Sequence, residues 1–564
     1  MLALLRRIGY PEAWLAEAAA YTPRDAYTVF NPRWADAVPE IPETTVDVIV
    51  QRQAQQRPDA AAIVYLDRTI TYRELHDLVG RAAAVLRDSG AGRGDVVAVM
   101  VPTSAIHWVV FFAVARIGAT HCGVNVMYQR EELEYVLADA QPTVLVCLDQ
   151  LLPVVEQIPP DARPNKILTV TLRDLADRDF HPYPALLDWW HAPAVHGEGT
   201  YALIEAMDRA APLTDTVEVD ARNETGQIIY TAGTTGHPKG VLQTHFNLVH
   251  NSMTHTLAMP GIEVPVTYSV LPLFHTGGFF VYSMPTFARG GTVVPRPLFD
   301  PGDALSCVQK YSVNAFFGPP TLFLALLAYG LDNFDLSSIE FFATGAAPVP
   351  DDLPERWQAA TGVELGLGWG MSELNGLGTF NGLPGRRCPG TLGVPVIGEV
   401  RVTLDGAVVA KNIDGEIEYR GMQVSKGYLG NPAETEATFT ASGWLRSGDI
   451  GRIDDTGALN YVDRRKDLIF ASGYNISPAE IENTLLTHPG ITDAAVIGEP
   501  HPYRGEVPVA FVVGTVLPDE VVSYCRERFA AIKVPARVVV LEQLPKNMMG
   551  KTLKRTLRTT GSDG

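Results

Sequence analysis

The sequence predicts an α/β fold: a large N-terminal domain of parallel α/β sheets plus a β subdomain, followed by a small, mobile α+β domain. Three observations predict it. Short apolar strands alternate with helical patterns up to about residue 390, as in parallel sheets covered on both faces. Between about 390 and 465 the strands crowd together with turn residues between them. After Asp463 the chain becomes a unit of about 100 residues that mixes both patterns. A chain of 564 residues has room for more than one domain. The expected division is an extension over 1–42, a large domain over 43–465 and a small domain over 466–564.

The elements follow in order. Residues 1–42 read as irregular, with Pro23, Pro32, Pro39 and Pro42. A helical pattern begins at Val46, and Ala60–Tyr65 reads as a strand. Thr71 opens a capped helix with an apolar helical period. Asp95–Val101, Thr143–Cys147 and Lys166–Val170 are buried strands. Trp108–Gly118 is the most apolar stretch, but it carries Arg116 and is far short of the roughly 20 residues that span a bilayer, so it reads as a buried helix. Val400–Leu404, Gly415–Tyr419 and Leu459–Val462 supply the β subdomain. Ser477-Pro-Ala-Glu480 starts a helix, with Ser477 as cap, Pro478 at its first position and Glu480 placed for a capping box.

Composition narrows the function. Hydrophobic residues at 46% and charged residues at 19% fit a globular enzyme with a large core. A net charge of −19 argues against general binding of nucleic acid or anionic membrane, so phosphates must be held by local positive groups. Five dispersed cysteines have no zinc spacing and fit a reducing cytoplasm. The first ten residues, interrupted by Arg6 and Arg7, do not read as a secretory signal.

The stretch richest in chemistry is Tyr230-Thr-Ala-Gly-Thr-Thr-Gly-His-Pro-Lys-Gly-Val241, after the apolar run Gln227–Tyr230. Its glycines allow backbone N–H groups to close on an anion. Thr231, Thr234 and Thr235 add hydroxyls, and Lys239 adds a mobile charge. The set suits a triphosphate, although it is not a Walker loop.

Four later segments stand in a fixed order behind it: Gly368-Trp-Gly-Met-Ser-Glu373, Ser447-Gly-Asp-Ile450, Asp463–Asp467 running on to Gly473–Glu480, and Pro545–Lys551. Together the five resemble the motifs of the adenylate-forming superfamily, which holds acyl-CoA synthetases, luciferases and nonribosomal adenylation domains. The resemblance covers roughly residues 45–558 and points toward the fatty-acid–CoA ligases. It implies ATP and Mg²⁺, with coenzyme A as co-substrate.

The resemblance also implies roles. Thr231, Gly233, Thr234, Thr235, Gly236 and Lys239 would hold phosphates, with Thr234 close to the chemistry. Glu373 would ligate magnesium. Gly345, Ala346 and Ala347 would line the nucleotide and acyl pockets. Trp369, Gly370, Met371 and Ser372 would flank the nucleotide, with the Trp369 ring able to stack on adenine. Asp449 and Arg464 would hold the ribose, and Lys466 would be the pivot of the small domain. Lys551 would bridge the acid and the α-phosphate. His275 would stand at the mouth of the carboxylate pocket, in a segment from Val264 to Phe287 that has no other potentially charged side chain. Gly473 would line the pantetheine tunnel.

The sequence departs from the family pattern at Trp369 (commonly tyrosine), Ser372 (usually threonine), Met548 and Met549 (often small or polar) and Phe470 (lysine in many relatives). The expected activity is ATP-dependent, AMP-forming ligation of an apolar fatty or aryl acid to coenzyme A, in the cytoplasm, with no nucleic-acid partner and no membrane span. Another acceptor (a carrier protein or an amine), an oxyacid such as nitrite, and a non-catalytic adenylate-binding scaffold stay open, as does monomer or homodimer. Phe470 and Leu374-Asn-Gly376, which follows Glu373, bear on those alternatives.

Overall fold

The computed structural model describes residues 6, 9–19, 40–231, 238–259, 261–347, 349–382, 390–471, 474–547 and 550–560. Two large sheets form the body. In the first, the strands run in the order Thr200–Ala202, Lys166–Val170, Val144–Leu148, Val96–Met100, Thr120–Gly123 and Thr225–Thr231, all parallel. Lys239–Thr244 and Gly427–Tyr428 extend that edge antiparallel. In the second, Ala61–Tyr65, Thr292–Pro295, Val266–Ser269, Ala315–Gly318, Phe341–Gly345 and Leu365–Met371 are parallel neighbours. Antiparallel strands finish both of its edges.

The strands are near-continuous apolar runs because helices cover both faces. Helix Ala105–Arg116 is buried along its whole length, and Arg116 meets Asp47 at 3.0 Å with both side chains fully buried. A paired charge inside this apolar helix marks it as core. Among the described residues no helix is long and apolar enough to cross a membrane. Thr71 caps helix Tyr72–Asp88 by accepting the Glu74 N–H, as its sequence position predicts.

Five antiparallel strands between Glu399 and Arg464 form the β subdomain. Beyond it, Ile469–Ala471, Tyr474–Ile476, Ile491–His501, Gly505–Gly514 and Arg537–Leu541 build a last sheet, packed by helices Pro478–Leu486 and Pro518–Arg526. Ser477 caps the first of these helices, accepting the Glu480 N–H at 3.4 Å. The expected capping box is not completed, because Lys533 at 2.7 Å takes the Glu480 carboxylate. Asp463 instead accepts the Ser477 hydroxyl at 2.7 Å and the Ala479 N–H at 3.0 Å, tying this helix start to the end of the β subdomain.

Residues 12–19, expected to be irregular, form helix Glu12–Ala19, which buries Leu15, with Tyr10 buried just before it. The Tyr10 hydroxyl donates to the Arg420 carbonyl at 3.2 Å, and the Arg420 guanidinium stands 5.5 Å from the centre of the Trp14 ring and 4.6 Å from that of Trp444. An eight-residue helix is marginal alone. Contacts some 400 positions away hold this one, and no local pattern announces them.

Candidate active site

The strands that flank the glycine-rich stretch, Thr225–Thr231 and Lys239–Thr244, pair antiparallel with Thr231 opposite Lys239. Gly233, Thr234, Thr235 and Gly236 lie outside the described residues. The Lys239 ammonium is paired with the Glu434 carboxylate and stands 5.4 Å from the centre of the Tyr428 ring. Tyr428 in turn donates its hydroxyl to Glu373 Oε1 at 2.8 Å. Tyr428 and Glu434 escape sequence reading because they come from a strand and a helix almost 200 positions downstream.

Glu373 sits on a tight turn after strand Leu365–Met371 and is buried. Burial pushes its carboxyl above the usual range, while the Tyr428 hydroxyl and the charges of Arg464 and Lys239 pull the other way. A buried carboxylate among cations suits a hard divalent ion held mainly by phosphates. Among the described residues there is no cluster of three or more His, Cys, Asp or Glu side chains that would cage a metal by itself.

Asp449 lies one strand from Arg464, which approaches it at 3.6 Å. It is buried, and burial raises its carboxyl, opposed by Arg464, Trp369 and Lys551. Trp369 takes a different part from the one expected. Its ring is packed in the core cluster of the β subdomain and offers no open face, and its indole N–H donates to Asp449 Oδ2 at 2.8 Å. Trp369 thus orients the carboxylate. Gly370, Met371 and Ser372 follow it toward Glu373, and the Ser372 carbonyl accepts from Gln243.

Gly345 ends its strand beside Gly368, so close that a Cβ would stand 2.5 Å from the Gly368 carbonyl oxygen. Ala346 then takes φ +66°, a left-handed turn rare outside glycine, and Ala347 follows it.

The small domain closes the site. Gly550 presses on Thr321 of helix Pro320–Tyr329, where a Cβ would come within 2.6 Å of the threonine Oγ1. That contact sets Lys551 in the junction, with its N–H bonded to Asn547 Oδ1 at 2.9 Å. Its ammonium is pushed down to about 7 by burial and by Arg464 and Lys466, against the pull of Asp449 and Asp467. Burial and Lys551 hold His275 down at about 4. His275 Nδ1 accepts the Gly277 N–H at 3.1 Å, which leaves the ring proton on Nε2. The structure therefore brings Lys551, Asp449, Arg464, Lys466 and His275 into one electrostatic neighbourhood. Gly473 lies outside the described residues.

Two family models match the chain: AMP-binding enzyme over residues 50–429, and AMP-binding enzyme C-terminal domain over 480–551. The chain belongs to the AMP-binding enzyme family. Among relatives in that family, the long-chain-fatty-acid–CoA ligase of Bacillus subtilis (strain 168) is 31% identical over 539 residues, covering 92% of this chain and 94% of that protein. The feruloyl-CoA synthase of an Amycolatopsis species is 33% identical over 515 residues, covering 90% and 97%. The crystal structure of ATP-bound MatB from Rhodopseudomonas palustris superposes with a TM-score of 0.81 at 30% identity, covering 92% and 99%. Within the family, the chain is an AMP-forming acyl-CoA synthetase.

Proposed function

We propose that this synthetase activates a fatty or aryl monocarboxylic acid with ATP and passes the acyl group to coenzyme A. One observation carries the reading: Lys551, half-buried with its ammonium pushed down to about 7, lies within electrostatic reach of Asp449, Arg464 and the neutral His275 where the two domains meet. An acid oxygen attacks the α-phosphate and pyrophosphate leaves. The thiol then attacks the acyl carbon and AMP leaves.

The chain's own groups serve the first step. Asp449, oriented by Trp369 and paired with Arg464, presents an acceptor for ribose hydroxyls. Lys239 reaches phosphate by leaving Glu434. Lys551 neutralises charge that develops between the acid and the α-phosphate. His275 offers its Nε2 proton to the carboxylate without adding charge. Magnesium, entering with the triphosphate, would take Glu373 as its protein ligand and would supply Lewis-acid charge there. Residues 466–564 would move as a unit about Lys466 to admit the thiol, with Gly473 lining its path.

An ATP–pyrophosphate exchange screen over acids, with nitrite included, tests the first half. AMP release with and without coenzyme A tests the second. Exchange that depends on an organic acid, with AMP release that depends on coenzyme A, is the expected result. Exchange with nitrite alone would overturn the acyl reading.

A further inference from the structure

Asn375, two residues beyond Glu373, is fully buried, and neither its amide oxygen nor its amide nitrogen has a hydrogen-bond partner. Among the described residues it is the one buried amide side chain bare at both ends. Buried polar groups are almost always paired, so such a group calls for a partner, either an ordered water or a ligand.

Its position suggests what. Asn375 takes the left-handed conformation, φ +55°, and its carbonyl accepts from Asn251 Nδ2 at 2.8 Å. The backbone of the turn is thus tied down, by Asn251 and by the Ser372 carbonyl, while the side chain is left unused. The next residue, Gly376, abuts Phe280 and His255: a Cβ there would stand 3.4 Å from Phe280 Cβ and 3.8 Å from His255 Cε1. Phe280 ends the short helix Thr276–Phe280, and His275, within the field of Lys551, caps its start. Five helical steps of about 1.5 Å separate the two ends, roughly 7 Å in all. One end lies where the carboxylate is activated, and the other lies at the Asn375 turn.

We propose that Asn375 recognises a hydroxyl group in the tail of the acid, roughly 7 Å from the carboxylate that is activated. The assignment rests on the acyl-CoA synthetase reading above and deepens it. An amide presents a donor and an acceptor side by side, and a hydroxyl is the small group that answers both. A second carboxylate does not fit. The nearby imidazoles are held neutral by burial, His250 down to about 3 and His255 to about 4, and offer no countercharge. The neighbourhood is rich in acceptors as well. Asn251 gives its N–H groups to the Leu374 and Asn375 carbonyls and its oxygen to His250 Nδ1, so His250 Nε2 is a bare, buried acceptor.

The test compares matched acids on the full-length enzyme with ATP and magnesium, read as pyrophosphate exchange and as AMP release with coenzyme A. The pairs are 4-hydroxycinnamate against cinnamate and 6-hydroxyhexanoate against hexanoate. A site built to hydrogen-bond a substrate group rejects the analogue that lacks it. The hydroxy acid of at least one pair should therefore lead in kcat/KM by about 100-fold or more. Asn375→Gly, which keeps the left-handed turn, should collapse that ratio mainly through the hydroxy acid. A wild-type ratio near one for both pairs would overturn the proposal without disturbing the ligase reading. So would a ratio that survives Asn375→Gly, which would mean that only buried water meets the amide. Failure to turn over any organic acid with ATP and coenzyme A would sink the ligase reading and this proposal with it.

Discussion

The C-terminal unit has two unlike regions. In one, Gly550 presses against Thr321, and Lys551 is half-buried within electrostatic reach of Asp449 and Arg464. In the other, around the paired strands Ile469–Ala471 and Tyr474–Ile476, Phe470, Tyr474 and Tyr503 are 53%, 66% and 93% exposed. A lysine is costly to bury, and aromatic rings are costly to leave in water. The unit has each in the unfavoured place. Both costs have one explanation if this arrangement serves the adenylating step and a second arrangement covers the aromatic face. The comparison makes the unit a two-sided tool, and each side can be damaged separately.

The largest effect should come from the buried side. Lys551→Ala should lower acid-dependent pyrophosphate exchange roughly 10²- to 10³-fold, the usual loss for one transition-state electrostatic contact. Thioester formation from pre-formed acyl adenylate should survive. Near wild-type exchange would remove Lys551 from the chemistry and dissolve the comparison. Lys466→Pro tests the joint between the faces, because it fixes φ and stiffens the link. It should slow thioester formation more than exchange. Equal loss of both would put the pivot elsewhere.

Trp369→Phe sharpens the picture on the large-domain side. It keeps most of the packing but removes the N–H that Asp449 accepts. A hydrogen bond to a charged group is worth about 1.5–3 kcal/mol, so KM for ATP should rise on the order of tenfold or more, with kcat falling less. An unchanged KM would mean that Asp449 holds its place without the indole.

The fate of Trp369 shows where sequence reading stops. Period and capping announced the strands and the Thr71 helix because those signals lie within a few residues of one another. The charged landmarks Glu373, Asp449, Lys239 and Lys551 were legible because their motifs keep a fixed order. Partnerships were not. Trp369 meets Asp449 across 80 positions, and Lys239 meets Glu434 across 195. The apolar segment read from Val264–Phe287 meets His255 and Gly376, which come from other elements. A linear pattern reports the residue types on one element. It does not report which element folds against it.

The depressed Lys551 gives a pH signature of opposite sign for catalysis and stability. Between about 7 and 10.5 the unfolded chain holds a proton that the folded site has lost. This group's contribution to stability is therefore full above about 10.5 and lost as pH falls through about 7. Catalysis needs the cation, so exchange measured as kcat/KM for ATP should fall severalfold from pH 7 to pH 8. Lys551→Arg, which stays protonated, should flatten the fall. A wild-type profile that is level across this range would show that the lysine keeps its proton in the junction.

The smallest effect, and the one that decides what the bare face is for, belongs to Tyr503. Its side chain is the most exposed of the three aromatics, at 93%, and the residue lies two positions before Gly505, which pairs with Ala471. Tyr503→Ser removes apolar area that nothing in this arrangement covers, so stability should stay within about ±0.5 kcal/mol and pyrophosphate exchange should not move. If the face docks in the second step, KM for coenzyme A should rise a few-fold, because the ring loses its covered state and not its exposed one. The split is the diagnostic: exchange constant, coenzyme A dependence shifted. If both half-reactions ignore the substitution, the aromatic face is surface and the unit is a one-sided tool. If exchange falls as well, the two faces are not separable, and the half-buried lysine and the bare rings belong to a single arrangement.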